Sequence, residues 1–66
     1  MNIILNEQAF RVLQQIEQTN TLPAPDTGGV FFDGEAYCWV GYKVLNGNFE
    51  TDTFDTHEEA LKFVIR

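Results

Sequence analysis

The side chains best suited to chemistry in this chain are one cysteine, one histidine and a series of closely spaced carboxylates. Cys38 and His57 are of the types that form a nucleophile and its general base. Along a predicted strand, however, Cys38 alternates with Tyr37 and Trp39, which assigns its thiol to the core face, where a thiol is usually inert. We therefore expect no cysteine–histidine dyad.

The carboxylates suggest two other chemistries, and each lacks a required part. Asp52 and Asp55 could act as general acid and base, but a glycosidase also needs a cleft, and 66 residues leave little material for one. The same aspartates with Glu58 and Glu59 offer oxygen ligands, yet the spacing and central glycine of a calcium loop are absent. His57 has no second histidine or cysteine cluster to complete a metal site. We expect no enzyme activity, no metal and no cofactor.

The strongest functional signal is the balance of charge. Between Val12 and Leu61 the chain has nine carboxylates and a single base, Lys43, and its formal net charge is -6. The sequence pI of about 4.3 disfavours direct binding to nucleic acid or to a membrane surface, because both are bound through cationic groups. Basic surfaces are the natural partners. The alternative is that the charge only keeps a small protein soluble.

Length and composition predict one small folded domain over residues 1–66, which the helix and strand patterns described below assign to the α+β class. A hydrophobic fraction of 44% is ample for a packed core despite the net charge. The run Ile3-Ile4-Leu5 is too short for a signal peptide or a membrane span. One cysteine cannot form an internal disulfide, so we expect a cytoplasmic protein, as a monomer or weak dimer.

Two helices are predicted from the spacing of apolar residues. The first runs from Glu7 to about Gln18, with Asn6 as its N-cap. The second runs from His57 to about Ile65 behind a capping box. In that box the Thr56 hydroxyl meets the Glu59 amide, and the Glu59 carboxylate reaches back to Thr56.

Three strands are predicted between the helices, over Val30–Phe32, Tyr37–Leu45 and Phe49–Phe54. Residues 19–29 read as a loop in which Gly28-Gly29 is a turn. Asn46-Gly47 is the favoured pair for a type I′ hairpin, and it sets a register that runs from Leu45 opposite Asn48 to Trp39 opposite Phe54. The predicted fold is a three-stranded antiparallel meander with both helices packed on it, in the order α-β-β-β-α.

Alternation assigns the side chains of the hairpin to two faces. The core face collects Cys38, Val40, Tyr42, Val44 and Phe49. The outer face shows Lys43, Glu50, Asp52, Tyr37 and Trp39, so it is acidic with an aromatic end. The alternative is that helix one or the proline-rich loop covers Trp39, which makes the sheet buried on both faces.

The outer face suggests imitation of a nucleic-acid backbone. Alternate strand residues lie about 6.7 Å apart, and a duplex carries about one phosphate per 3.4 Å on each strand, so the carboxylates are sparser but comparable. Charge would steer a basic partner and aromatics would hold it. The predicted partner-binding residues are Asp33, Glu35, Glu50, Asp52, Asp55, Glu58, Glu59, Trp39 and Tyr37.

Two resemblances bear on function. The strands of residues 37–54 followed by Glu58-Glu59-Ala60-Leu61-Lys62-Phe63 resemble the three-strands-then-helix pattern of AP2-like and integrase arm DNA-binding domains, over less than half of the chain. Those domains carry basic residues toward DNA, whereas the matching positions here include Glu50 and Asp52. In size and charge, and not in motif, the chain is similar to the phage-encoded anti-CRISPR and anti-restriction proteins, several families of which occupy the DNA site of a nuclease.

The second resemblance implies a non-enzymatic inhibitor of a basic nucleic-acid-binding protein, either a CRISPR effector or a nuclease, in the cytoplasm of a host bacterium. It leaves open whether nucleic acid is blocked directly or the target is locked in an idle conformation. The competing hypothesis is a protein-interaction or regulatory module that binds through Tyr37 and Trp39, or through an unpaired sheet edge.

Overall fold

The computed structural model describes residues 1–22 and 25–66, which form two helices and one four-stranded mixed sheet. In chain order the elements are β1 (Asn2–Leu5), α1 (Asn6–Thr19), β2 (Thr27–Asp33), β3 (Cys38–Leu45), β4 (Asn48–Phe54) and α2 (His57–Ile65). The strand order is β1-β2-β3-β4, with β1 parallel to β2 and the other pairs antiparallel. The α+β class is as predicted. The predicted sheet had three strands, and the observed sheet has a fourth.

The additional strand is β1. It pairs with β2 from Asn2 opposite Thr27 to Leu5 opposite Val30. Parallel strands need a crossover connection, and α1 supplies it, so β1, α1 and β2 form one β-α-β unit. The run Ile3-Ile4-Leu5 passes into α1 at Asn6, whose φ angle of 60° turns the chain, and the run is too short to show a strand period. The element order is therefore β-α-β-β-β-α.

β2 begins three residues earlier than predicted, because Gly28 and Gly29 are strand residues and do not form a turn. A Cβ on Gly28 would collide with Val64 of α2, and one on Gly29 with the ring of Tyr42. Among the described residues of the predicted loop, 20–22 and 25–26 are outside helix and strand. Pro23 and Ala24 of that loop lie outside the described residues.

The two helices pack on opposite faces of the sheet. One core joins Ala9 of α1 to Phe31, Val40 and Tyr42. The other joins Ala60 and Val64 of α2 to Val30, with Trp39 and Phe54 partly buried beside it. The prediction that both helices lie on one face, with an open outer face, is wrong. α2 covers the second face because Gly28 and Gly41 present no side chains beneath Val64.

The β3–β4 hairpin confirms the predicted register at every pair, from Leu45 opposite Asn48 to Trp39 opposite Phe54. Its turn residues Asn46 and Gly47 have φ angles of 53° and 82°, as a type I′ turn requires. A two-residue turn and the alternation of side chains thus fix the position of every residue on β4.

The helix starts agree with prediction in part. α1 begins at Asn6, and Leu5 occupies the N-cap position without a side-chain hydrogen bond, so the predicted Asn6 cap is wrong. At α2 the Thr56 hydroxyl accepts from the Glu59 amide at 3.2 Å, as predicted. The Glu59 carboxylate accepts from that hydroxyl at 3.0 Å, and not from a backbone amide.

Tyr42 should make the stability of the protein depend on pH in the alkaline range. Its side chain is 0% exposed, its hydroxyl donates to the Ala9 carbonyl at 2.7 Å, and burial raises its pKa from 10.0 to about 12. The folded state holds this proton more tightly, so the contribution is intact below pH 10 and is lost as the pH rises toward 12. We expect the free energy of unfolding to fall by about 1.4 kcal/mol per pH unit across that window.

Urea unfolding at several pH values measures this effect, with Tyr42→Phe as the control. That variant leaves the Ala9 carbonyl without its donor and should cost about 1–3 kcal/mol at neutral pH. In Tyr42→Phe the fall in the free energy of unfolding that Tyr42 causes between pH 10 and 12 should be absent. Equal slopes in both proteins would contradict the assignment.

Candidate protein-binding surface

Five of the predicted carboxylates lie along one edge of the molecule. β4 is an edge strand, α2 follows it directly, and all five side chains are exposed. We term them the acidic band: Glu50 and Asp52 on β4, Asp55 in the connection, and Glu58 and Glu59 in the first turn of α2. Glu50 and Asp52 point to the same face of the sheet, because they are alternate residues of one strand.

Few cations neutralise the acidic band. Within residues 1–22 and 25–66, one base approaches it: Lys62 Nζ lies 3.4 Å from Glu58 Oε1 in an exposed pair one helical turn apart. Such surface pairs are weak, at about 0–1 kcal/mol. Asp52 Oδ1 also accepts from the Thr53 amide at 2.8 Å. Glu50 and Asp55 have neither kind of partner among the described residues, so their carboxylates face solvent.

The single base between Val12 and Leu61 is withdrawn from the surface. Lys43 is 8% exposed, its Nζ donates to the Phe63 carbonyl at 3.0 Å, and it lies 4.6 Å from the centroid of the Phe63 ring. That carbonyl is in the last turn of α2, where the helix dipole favours a cation. The prediction that Lys43 lies on an open outer face is therefore wrong, and the described residues of this segment expose no lysine or arginine side chain.

Asp33 and Glu35 do not belong to the acidic band. They lie at the β2–β3 turn, where Asp33 Oδ1 accepts from the Glu35 amide at 3.0 Å and from the Ala36 amide at 3.4 Å. The Asp33 carboxylate therefore holds the turn. With Phe10 and Phe32 these two residues line a separate groove beside the start of α1. The structure thus divides the predicted acidic surface between two places.

Tyr37 and Trp39 have different environments. Tyr37 is 85% exposed in the turn before β3. Trp39 is partly buried, with its ring 4.9 Å from that of His57 in α2 and 5.2 Å from that of Phe32. α2 therefore covers Trp39, and the predicted cover by helix one is wrong, because helix one packs on the other face of the sheet. The environment of Trp39 makes Tyr37 the more accessible of the two predicted aromatic anchors.

Phe32 is the candidate residue that the predicted set lacks. Its side chain is 46% exposed, and its ring also packs edge-on against Tyr37 at 6.2 Å. The sequence does carry a signal, because adjacent residues Phe31 and Phe32 of one strand must point to opposite faces. Together Phe32, Tyr37, Trp39 and His57 form an aromatic cluster at the Asp55 end of the sheet.

The residues first considered for chemistry lie apart. Cys38 packs with the core on the α1 face, whereas His57 packs on Trp39 at the α2 face, so the sheet lies between them. In the described parts of the chain, no group of three or more His, Cys, Asp or Glu side chains is arranged to hold a metal ion. No helix over those residues has the length and apolar character needed to span a membrane.

Comparisons with protein-family models, curated proteins and solved structures gave no match for this chain. No activity or partner can therefore be carried over from a relative. The surfaces that could bind a partner are the acidic band, the aromatic cluster and the groove beside α1.

Proposed function

We propose that this protein is a non-enzymatic inhibitor that binds the basic channel of a nucleic-acid-binding protein through the acidic band, with a CRISPR effector as the first candidate target. The observation that carries the proposal is an edge of the molecule, formed by β4 and the start of α2, with five exposed carboxylates, beside which the base of β3, Lys43, is buried. A cationic channel would meet five carboxylates, of which only Glu58 has a basic partner, Lys62, among the described residues.

The spacing of the acidic band suits such a channel. Glu50 and Asp52 stand about 6.7 Å apart on β4, which is roughly the axial distance covered by two phosphates of one duplex strand. Asp55, Glu58 and Glu59 continue the charge around the start of α2. Negative charge in the first turn is also favoured by the dipole of that helix, so these carboxylates strengthen α2 while they face outward.

Two other readings of the same surface make different predictions. Charged residues on an edge strand can serve only to prevent pairing with other sheets. The aromatic cluster favours a second candidate function, a protein-interaction module, because Tyr37 and Phe32 are 85% and 46% exposed. Exposed aromatic side chains are the usual anchors of protein interfaces.

A capture experiment separates these functions. The tagged protein is used as bait in a bacterial lysate that contains CRISPR effector complexes, and bound material is eluted with duplex DNA or with rising salt. We expect duplex DNA to release a nucleic-acid-binding protein. Its affinity should fall at least about tenfold between roughly 0.05 and 0.2 M salt, because contacts between exposed charges are screened.

The outcome against the proposal is a partner that neither DNA nor salt releases. In that case Tyr37→Ala should weaken its capture, and the aromatic cluster becomes the binding surface. If no nucleic-acid-binding protein is captured, the carboxylates of β4 serve only to prevent this edge strand from pairing with other sheets.

A further inference from the structure

The sheet has a second open edge, at the end of β2. β1 pairs with β2 only as far as Leu5 opposite Val30, because the chain then turns into α1 at Asn6. β2 continues through Phe31, Phe32 and Asp33, which pair with β3 alone. Backbone groups of a strand point alternately to its two sides, so this stretch directs at least one amide and carbonyl toward the open side.

A groove of about 610 Å³ lies against this open edge, between the start of α1 and the β2–β3 turn. We term it the edge groove. Its apolar surface comes from Phe10, Phe31 and Phe32. Phe10 and Phe32 are 43% and 46% exposed, and the Phe10 and Phe31 rings meet edge-on at 5.4 Å. The fold thus leaves two phenyl rings uncovered beside a short unpaired length of strand.

The rim of the edge groove is acidic. Glu7, Asp33 and Glu35 all line it. Glu7 pairs with Arg11 at 2.6 Å, and Asp33 holds its turn, while Glu35 is exposed and its side chain has no ion pair within the described residues. Carboxylates beside phenyl faces form a site for an arginine or lysine side chain, which gains both an ion pair and a cation–π contact.

We infer that the edge groove binds an extended basic segment of a partner protein, which adds as a short strand to β2 at residues 31–33. Main-chain hydrogen bonds would supply register, the rings of Phe10 and Phe32 would take the stems of its side chains, and Glu35 would take a cation. A second copy of this chain is disfavoured as the occupant, because its net charge is -6 and the rim is acidic. This inference goes beyond the proposed function, since it concerns the opposite edge of the sheet.

An NMR titration with a defined probe tests the inference. The probe is a short capped peptide of alternating arginine and valine, and its first control is the same peptide with N-methylated valines, which cannot complete a strand ladder. We expect shifts at residues 31–35 and at the start of α1, with slowed amide exchange within 31–33. The N-methylated peptide should bind at least about tenfold more weakly.

Matched charge variants test the rim. Glu35→Lys should weaken binding of the arginine–valine peptide about tenfold or more. Glu17→Lys changes the net charge equally at an exposed position of α1 outside the edge groove, and it should have less than about a twofold effect. An equal loss of peptide affinity in both variants would overturn the inference, because binding would then depend only on net charge.

Two further results would also overturn it: no shifts at about millimolar peptide, a concentration at which even weak complexes form, or shifts along β4 and the start of α2 instead. Failure here is distinguishable from failure of the proposed function. The pair Glu50→Gln and Asp52→Asn should leave the peptide titration at residues 31–35 in place, whereas Glu35→Lys should leave capture of a DNA-displaceable target in place.

Discussion

The combined change of Glu50→Lys and Asp52→Lys should abolish binding to a DNA-displaceable partner while the protein stays folded. Both side chains are exposed on an edge strand, and neither contacts either core. Each reversal places a positive charge against a basic channel, where like charges repel at close range. We expect an affinity loss of roughly a hundredfold or more, measured by fluorescence anisotropy with the labelled protein and the captured target.

A matched control separates local charge from net charge. Glu17→Lys with Gln14→Lys and Gln18→Lys changes the net charge by the same amount at exposed positions of α1. These residues lie outside the acidic band, so this control should retain most of its affinity. Equal loss in both proteins would show that only overall charge matters, and unchanged affinity in the β4 variant would remove the acidic band from the interface. Circular dichroism melting curves establish that each variant is folded.

The hairpin shows what local sequence can predict. Asn46-Gly47 permits one tight turn, and strict alternation then assigns every residue of β4 to a face. The same reasoning placed Glu50 and Asp52 on one face, and the observed pairs confirm it. Both signals lie within a few residues of each other along the chain, so no knowledge of tertiary packing is needed.

β1 and the placement of α2 depend on contacts between residues far apart in sequence. Ile3-Ile4-Leu5 is too short to show a period, and its strand exists because β2 offers it a parallel partner across α1. Gly28-Gly29 has the composition of a turn. In the structure these residues are buried in a strand, where glycine permits another group to approach the backbone closely.

The candidate surfaces were predictable in sign but not in extent. A count of charges treats Lys43 as exposed. In the structure its side chain is buried against the end of α2, where its Nζ donates to the Phe63 carbonyl. Asp33 and Glu35 count with the other carboxylates in sequence, while the fold directs them to the edge groove. Lys43 is buried because α2 lies over it. Asp33 and Glu35 line the edge groove because β1 stops pairing with β2 at Leu5.

Gly29→Ala should be the most destabilising single change among the glycines. Gly29 is directly opposite Tyr42 in the β2–β3 ladder, and an added Cβ would overlap the Tyr42 ring. That ring cannot move without losing the hydrogen bond to the Ala9 carbonyl. Overpacking and a lost buried hydrogen bond together should cost about 3 kcal/mol or more. A domain of 66 residues has roughly 3–10 kcal/mol of stability in total.

Gly34→Ala is the matched control, since a Cβ there would have its nearest neighbour, a carbon of Phe32, only at 4.0 Å. It should change the free energy of unfolding by less than about 0.5 kcal/mol in a urea titration. A second readout follows from the tyrosine itself, because displacing its ring from the buried site should flatten the stability loss between pH 10 and 12. If Gly29→Ala unfolds at the same urea concentration as Gly34→Ala, the close contact between Gly29 and Tyr42 does not hold the sheet against α1.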